Sequence, residues 1–360
     1  MKKFLTPGPI NLSKQTSYLL KQTPPYFAHE EFGALLETLK DPLGDVFKTI
    51  NPVLIGTGSG TLAMETVLNN FFEPANNVII ISAGKYGKHW ETMCKQYHDI
   101  NVDVLHVSSP LDWPETMEKL KKMLQSSEHF NGVFMTHCET TTAIRAPISE
   151  INTLVKENQP ACLTVVDAVS TIGVEDIESQ KYDIVISSSQ KGLQCPPGLF
   201  FITFNMYAYN TADRTCRRSF YFDVITEFER YHNNQTSHTP AANLFAPLKY
   251  ALQEIEGLGG VDEVIANCAF MAKITREILE EHGIVVSGSC NVCTAFETPH
   301  QKEIQAILEK KGWYVGGGVR EYEGKMIRLM HFGWATDPDF IREGVTEVAR
   351  AYEEVECRNL

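Results

Sequence analysis

The stretch Val53-Leu54-Ile55-Gly56-Thr57-Gly58-Ser59-Gly60-Thr61 passes from an apolar run through a glycine-rich turn into a segment of helical periodicity. Strand, loop and helix in that order open a βαβ unit. The pattern repeats downstream. Residues 53–56, 77–82, 102–107, 132–136, 162–167, 184–187 and 199–203 read as strands, and residues 61–72, 84–97, 114–125 and 149–158 as the helices between them. Several of these strands are unbroken apolar runs, as burial on both faces requires. The expected fold is α/β, with a large, doubly wound, mostly parallel sheet.

Beyond this region, residues 214–230 and 242–256 read as longer helices. Leu258-Gly259-Gly260 is the best boundary, dividing the chain into a large unit of 1–257 and a small C-terminal α+β unit of 258–360. The small unit is expected to hold a helix at 261–282, strands near 294–297 and 326–331, and a last helix at 337–355. A chain of 360 residues, 43% hydrophobic, has material for two such cores. Its formal net charge of -13 argues against nucleic acid or an anionic membrane as partner. No stretch is apolar and long enough to span a bilayer, and Pro7 and Pro9 interrupt the run after Lys2 and Lys3. A cytoplasmic protein is expected. Nine scattered cysteines read as reduced thiols. Cys290 and Cys293 form one C-x-x-C, but zinc needs further ligands that the neighbouring sequence does not offer, so no metal is expected.

Four constellations carry chemistry. Gly58-Ser59-Gly60-Thr61 opens a helix, where backbone amides and the helix dipole favour a phosphate, although an ordinary turn has the same composition. The next strand ends in Ile81-Ser82-Ala83-Gly84, without the acid that holds a dinucleotide's ribose. Asp167 ends the run Val165-Val166, at the sheet edge where ligands bind. It is either a turn cap or a buried carboxylate waiting for a cation such as a protonated pyridine nitrogen. Ser187-Ser188-Ser189-Gln190-Lys191 clusters hydroxyls beside one lysine, whose amine burial would make nucleophilic. Arg328 interrupts an apolar strand, as an edge residue reaching water or as a clamp on a carboxylate.

Taken in order, these motifs resemble the class V, fold type I aminotransferases that use pyridoxal 5'-phosphate (PLP), from Thr6-Pro7-Gly8-Pro9 to Arg328. The similarity is greatest to the 2-aminoethylphosphonate–pyruvate, alanine–glyoxylate and serine–pyruvate enzymes. It implies that Lys191 holds the cofactor as a Schiff base and that Asp167 pairs with the pyridine nitrogen. Ser59, Gly60, Thr61 and Gln190 would meet the phosphate. Tyr86 would stack on the ring, and Thr140, within His137-Cys138-Glu139-Thr140-Thr141-Thr142, would touch it. Thr239 would reach the phosphate from the other subunit of a homodimer, while Arg328 and Gly8 would hold the substrate. Two departures stand out: Ala143 where glycine is usual, and Ala241 where a second proline is usual. The implied reaction carries an amino group from a small amine or amino acid (2-aminoethylphosphonate, alanine or serine) to a 2-oxo acid such as pyruvate or glyoxylate. Arg217 and Arg218 could bind a phosphonate or be surface charges. A lyase or desulfurase on the same fold, a non-catalytic protein and a dehydrogenase are the alternatives.

Overall fold

A computed structural model describes every residue except Met1, Pro9, Arg217, Ser289, Arg320, Glu321, Ala335 and Leu360, and leaves the side chains of Tyr97 and Asn359 undescribed. Its main sheet has seven strands in the order Val53–Gly58, Gly198–Phe204, Ile184–Ser188, Leu163–Asp167, Gly132–Thr136, Asn77–Ser82 and Asn101–His106. The last five are mutually parallel. Gly198–Phe204 runs antiparallel to both its neighbours.

The alternation of side chains shows why these runs are apolar throughout. Phe134, Val165, Ile184 and Ile186 pack on one face with Ala63, Met64, Val67 and Leu68 of the helix Gly60–Phe71. Their chain neighbours Val133, Met135, Val166 and Val185 pack on the other, with Leu120, Leu124, Ile151 and Val155 from the helices Trp113–Leu124 and Ile148–Asn158. Each such side chain contributes about 1.5–3 kcal/mol by leaving water, and a polar residue such as buried Thr164 is accommodated through a hydrogen bond, here to Asp183 at 3.0 Å.

The second sheet follows the order Lys3–Leu5, Trp313–Gly317, Met326–Met330, Cys293–Glu297 and Val286–Ser287. It is flanked by the helices Val261–Glu281, Gln301–Lys310 and Pro338–Asn359. Residues 3–5 were expected with the large unit. Their backbone instead pairs in parallel with Trp313–Val315, which makes them an edge strand of the C-terminal sheet. We retain the division near residue 258, between Phe245–Gly257 and Val261–Glu281, as a proposal.

The expected single helix at 214–230 is two helices, Met206–Arg214 and Val224–His232. Between them Phe222 turns inward onto Phe200, with ring centroids 4.8 Å apart. Buried Asn70 fixes the break by donating to the Phe222 carbonyl at 3.1 Å and accepting from Val224 N at 3.0 Å. Asp223 then caps the second helix, accepting from Thr226 N at 2.9 Å. Among the described residues no helix is long and apolar enough to cross a membrane.

Candidate active site

The parallel strands all deliver their carboxyl ends to one edge of the large sheet. Thr136 stands opposite Asp167, and Asp167 opposite Ile186. Because Gly198–Phe204 runs backwards, it sets Gly58 and the start of the helix Gly60–Phe71 at that same edge. The result is a cleft of about 460 Å³, open mouth included. Seven of the expected residues line it: Ser59, Gly60, Thr61, Tyr86, Asp167, Gln190 and Lys191. Thr136, Cys138 and Ser170 line it as well; none was assigned a role from the sequence, although Cys138 lies within the 137–142 motif.

Lys191 is 7% exposed, and its Nζ donates to the Pro7 carbonyl at 2.5 Å. Burial pulls its ammonium down to about 8, with Arg328 adding to the effect and Cys293 and Asp167 opposing it. Asp167 is 3% exposed, and burial pushes its carboxyl up to about 7 against the Val169 N–H, which donates to it at 3.0 Å. Among the described residues Asp167 has no ion-pair partner within 4 Å, so a buried acid faces the cleft with its charge unbalanced. Ser59 occupies the N-cap position of the helix Gly60–Phe71 but makes no capping hydrogen bond with its side chain, which leaves that helix start for another acceptor. The Gln190 Oε1 and Ser188 Oγ atoms are buried without a partner among the described residues. Gly60 is also required sterically, because a Cβ there would lie 2.7 Å from Val169 Cγ2. The set could hold a flat, phosphate-ended group with a protonated ring nitrogen for Asp167 and a carbonyl for the Lys191 amine.

Arg328 lies in the middle strand of the second sheet and is 6% exposed, which rules out the water-reaching alternative. Its Nη1 donates to the Thr140 carbonyl at 2.8 Å, and Nε and Nη2 donate to the Gly317 carbonyl at 2.9 and 2.6 Å. These partners fix the guanidinium plane but are neutral, so its charge stays available for a carboxylate. Thr140 is itself buried, and its hydroxyl interacts with the Tyr86 phenol. Glu139 explains the rest of that motif. It is fully buried and accepts from Tyr86 N at 2.8 Å, Thr141 N at 3.1 Å and Thr141 Oγ1 at 2.7 Å. It therefore caps the helix Lys85–Tyr97 that carries Tyr86. His137 is another residue the sequence did not single out. Its Nδ1 is 3.1 Å from Thr171 Oγ1, and burial pulls it down to about 3, so it is neutral at ordinary pH.

Four expected residues lie outside the cleft lining: Thr140 and Arg328, which hydrogen-bond to each other, and Gly8 and Thr239. Gly8 is exposed with φ +137, beside the Pro7 that meets Lys191. Thr239 is exposed on a segment anchored where Ala241 N donates to Thr57 Oγ1 at 2.9 Å. Arg217 lies outside the described residues. Arg218 is turned away, its Nη2 donating to the Phe72 carbonyl at 3.4 Å and lying 3.3 Å from His98 Nδ1. Ala143 takes φ +59, in the left-handed region that favours glycine.

Comparison with known proteins places this cleft in context. Residues 26–320 match the family model described as aminotransferase class-V. An uncharacterized aminotransferase of Methanocaldococcus jannaschii is 30% identical over 92% of this chain and 88% of its own. The serine–glyoxylate aminotransferase of Arabidopsis thaliana is 26% identical, covering 91% and 84% respectively. Among solved structures, the subgroup IV aspartate aminotransferase of Thermus thermophilus superposes with a TM-score of 0.87 at 26% identity, covering 98% of this chain and 99% of that one.

Proposed function

The chain belongs to the class V aminotransferases, and from that premise we propose that it carries pyridoxal 5'-phosphate on Lys191 and moves an amino group from a small amine or amino acid to a 2-oxo acid such as pyruvate or glyoxylate. The observation that carries this reading is the pairing, in one cleft, of a buried amine, Lys191, with a buried carboxyl, Asp167. Bound, the cofactor supplies an aldehyde for the amine and an electron-withdrawing ring that stabilises charge at the carbon losing its proton.

The rest is the work of the chain's own residues. Lys191, once freed by the incoming donor, is the base that takes a proton from the amine-bearing carbon; its lowered pKa keeps a useful share of it neutral near pH 7.5. Asp167 holds a proton on the ring nitrogen, and that cation in turn balances its buried charge. The amides of Gly60 and Thr61, the Ser59 hydroxyl and the Gln190 side chain bind the phosphate. Tyr86 covers the ring, and Thr140 holds Tyr86 and Arg328 in register. Arg328 grips the substrate carboxylate, with the backbone at Gly8 closing over it. Thr239 acts across a homodimer interface, a reading supported by its exposure and by its absence from the lining of its own subunit's cleft. We place the protein in the cytoplasm. With Arg218 held against His98, the small amino acids alanine and serine are better supported as donors than a phosphonate.

Borohydride reduction followed by peptide mass spectrometry tests the cofactor site. The adduct is expected on Lys191 and is lost in Lys191→Ala together with turnover. An adduct on another lysine, or full turnover in the variant, overturns the assignment. A donor screen against pyruvate and glyoxylate, including 2-aminoethylphosphonate, alanine and serine, then ranks the substrates.

A further inference from the structure

Cys138 follows the strand Gly132–Thr136 of the large sheet, while Cys290 and Cys293 stand at the entry to Cys293–Glu297 in the C-terminal sheet. All three are buried. Their Sγ atoms lie within 4.8 Å of one another, and those of Cys290 and Cys293 are 3.8 Å apart. Three sulfurs sharing one ion at Zn–S distances of about 2.3 Å stand roughly 3.8–4.0 Å from each other. The pair already has that spacing, and the third thiol needs a movement of less than about 1 Å. Without an ion the Cys290 thiol donates to the Cys293 carbonyl at 3.5 Å, a weak hydrogen bond that a metal can displace. Positive charge is close as well, since Lys191 and Arg328 both feel Cys293.

We propose that Cys138, Cys290 and Cys293 bind one thiophilic divalent cation, with Zn2+ the charge-matched occupant, joining the C-terminal unit to the large one beside the catalytic cleft. Three thiolates around Zn2+ carry a net charge of -1, which the guanidinium of Arg276, donating to the Cys290 carbonyl, offsets; a monovalent ion would leave -2 in a buried site. On loading, each S–H bond is exchanged for an S–metal bond and the protons pass to solvent, with no change of oxidation state. The ion has a way in, because Cys138 lines the cleft. The inference is independent of the aminotransferase reading, because it concerns sulfurs that reading does not use.

Cadmium titration of the reduced full-length protein tests it, read by thiolate-to-metal charge-transfer absorption in the ultraviolet and by elemental analysis after gel filtration. One equivalent is expected to bind, displaceable by Zn2+. Cys290→Ser and Cys138→Ser should each weaken binding by more than the roughly 100-fold that loss of even an outer-shell partner can cost. Cys94→Ser, a buried cysteine outside the cluster, should bind as wild type does. Failure of the reduced wild-type protein to take up a stoichiometric ion overturns the proposal, however the variants fold. So does an unchanged band in a folded Cys290→Ser protein, or recovery of Cys290 and Cys293 as a disulfide with no uptake after reduction.

Discussion

Replacing Asp167 with asparagine should make the cofactor-free protein more stable while weakening its hold on the cofactor. Unfolded, an aspartate loses its proton near pH 3.8; in the fold, burial holds the proton to about pH 7. Over that window the native state binds more protons than the unfolded state, so wild-type stability falls as pH rises. The difference of about 3 units, at about 1.36 kcal/mol each, amounts to roughly 4 kcal/mol above pH 7. At pH 5 only about 1.2 units have been crossed, or roughly 1.6 kcal/mol. Asparagine keeps the shape and the acceptor for Val169 N without the charge. The variant should therefore gain about 2 kcal/mol over wild type between pH 5 and pH 8. A chain of 360 residues unfolds with about 0.75 kcal/mol/K of entropy, so the full 4 kcal/mol corresponds to a Tm difference of about 5 °C. Calorimetry on both proteins, stripped of cofactor, from pH 5 to pH 8 measures it. Titrating groups remote from Asp167 cancel in the difference, and its neighbours Glu139 and Lys191 add smaller changes. Adding the cofactor should reverse the order, since only the carboxylate gains from a ring cation. A pH-independent difference, or a variant less stable at pH 8, would refute the argument that burial without a cation sets this carboxyl.

Other outcomes follow from single contacts. Arg328→Lys keeps the charge but loses the planar fork, and should raise KM for the 2-oxo acid about 10–100-fold in steady-state kinetics with a smaller effect on kcat. Glu139→Ala strips the acceptor from Tyr86 N, Thr141 N and Thr141 Oγ1 and should cost about 2–4 kcal/mol in urea unfolding. Gly288→Ala would set a Cβ 2.4 Å from that of Ala143, at φ +103, and should destabilise by about 3 kcal/mol. Adding Ala143→Gly should return part of that loss, and a double-mutant cycle on urea midpoints checks the coupling.

The large sheet was legible because burial on both faces leaves unbroken apolar runs, and the strand ends at Asp167 and Ser188 fall within a residue of where the sequence put them. The Lys191, Asp167 and Gly60 cluster was legible because strand ends in such a sheet converge on one edge. Other features depended on residues far apart in the chain. The break at 215–223 rests on Asn70, more than 140 residues away, and helical periodicity alone ran straight across it. Lys3–Leu5 has no alternation long enough to announce a strand, and only Trp313–Val315 makes it one. Glu139 looked like part of a threonine motif until the helix it caps was seen beside it. The third thiol of the sulfur cluster is likewise contributed from a different sheet.

The pairing of Lys3 with Trp313 has a consequence for biosynthesis. The strand Lys3–Leu5 must wait for a partner that is synthesised 310 residues after it, which at 5–20 residues per second is about 15–60 s. Meanwhile the seven-stranded sheet, whose strands all lie between Val53 and Phe204, can already assemble. The last step of maturation is then the docking of the leading peptide, which carries the Pro7 carbonyl onto the Lys191 amine. A bulky tag fused close to Lys3 would slow that step and leave the nascent enzyme open to proteases.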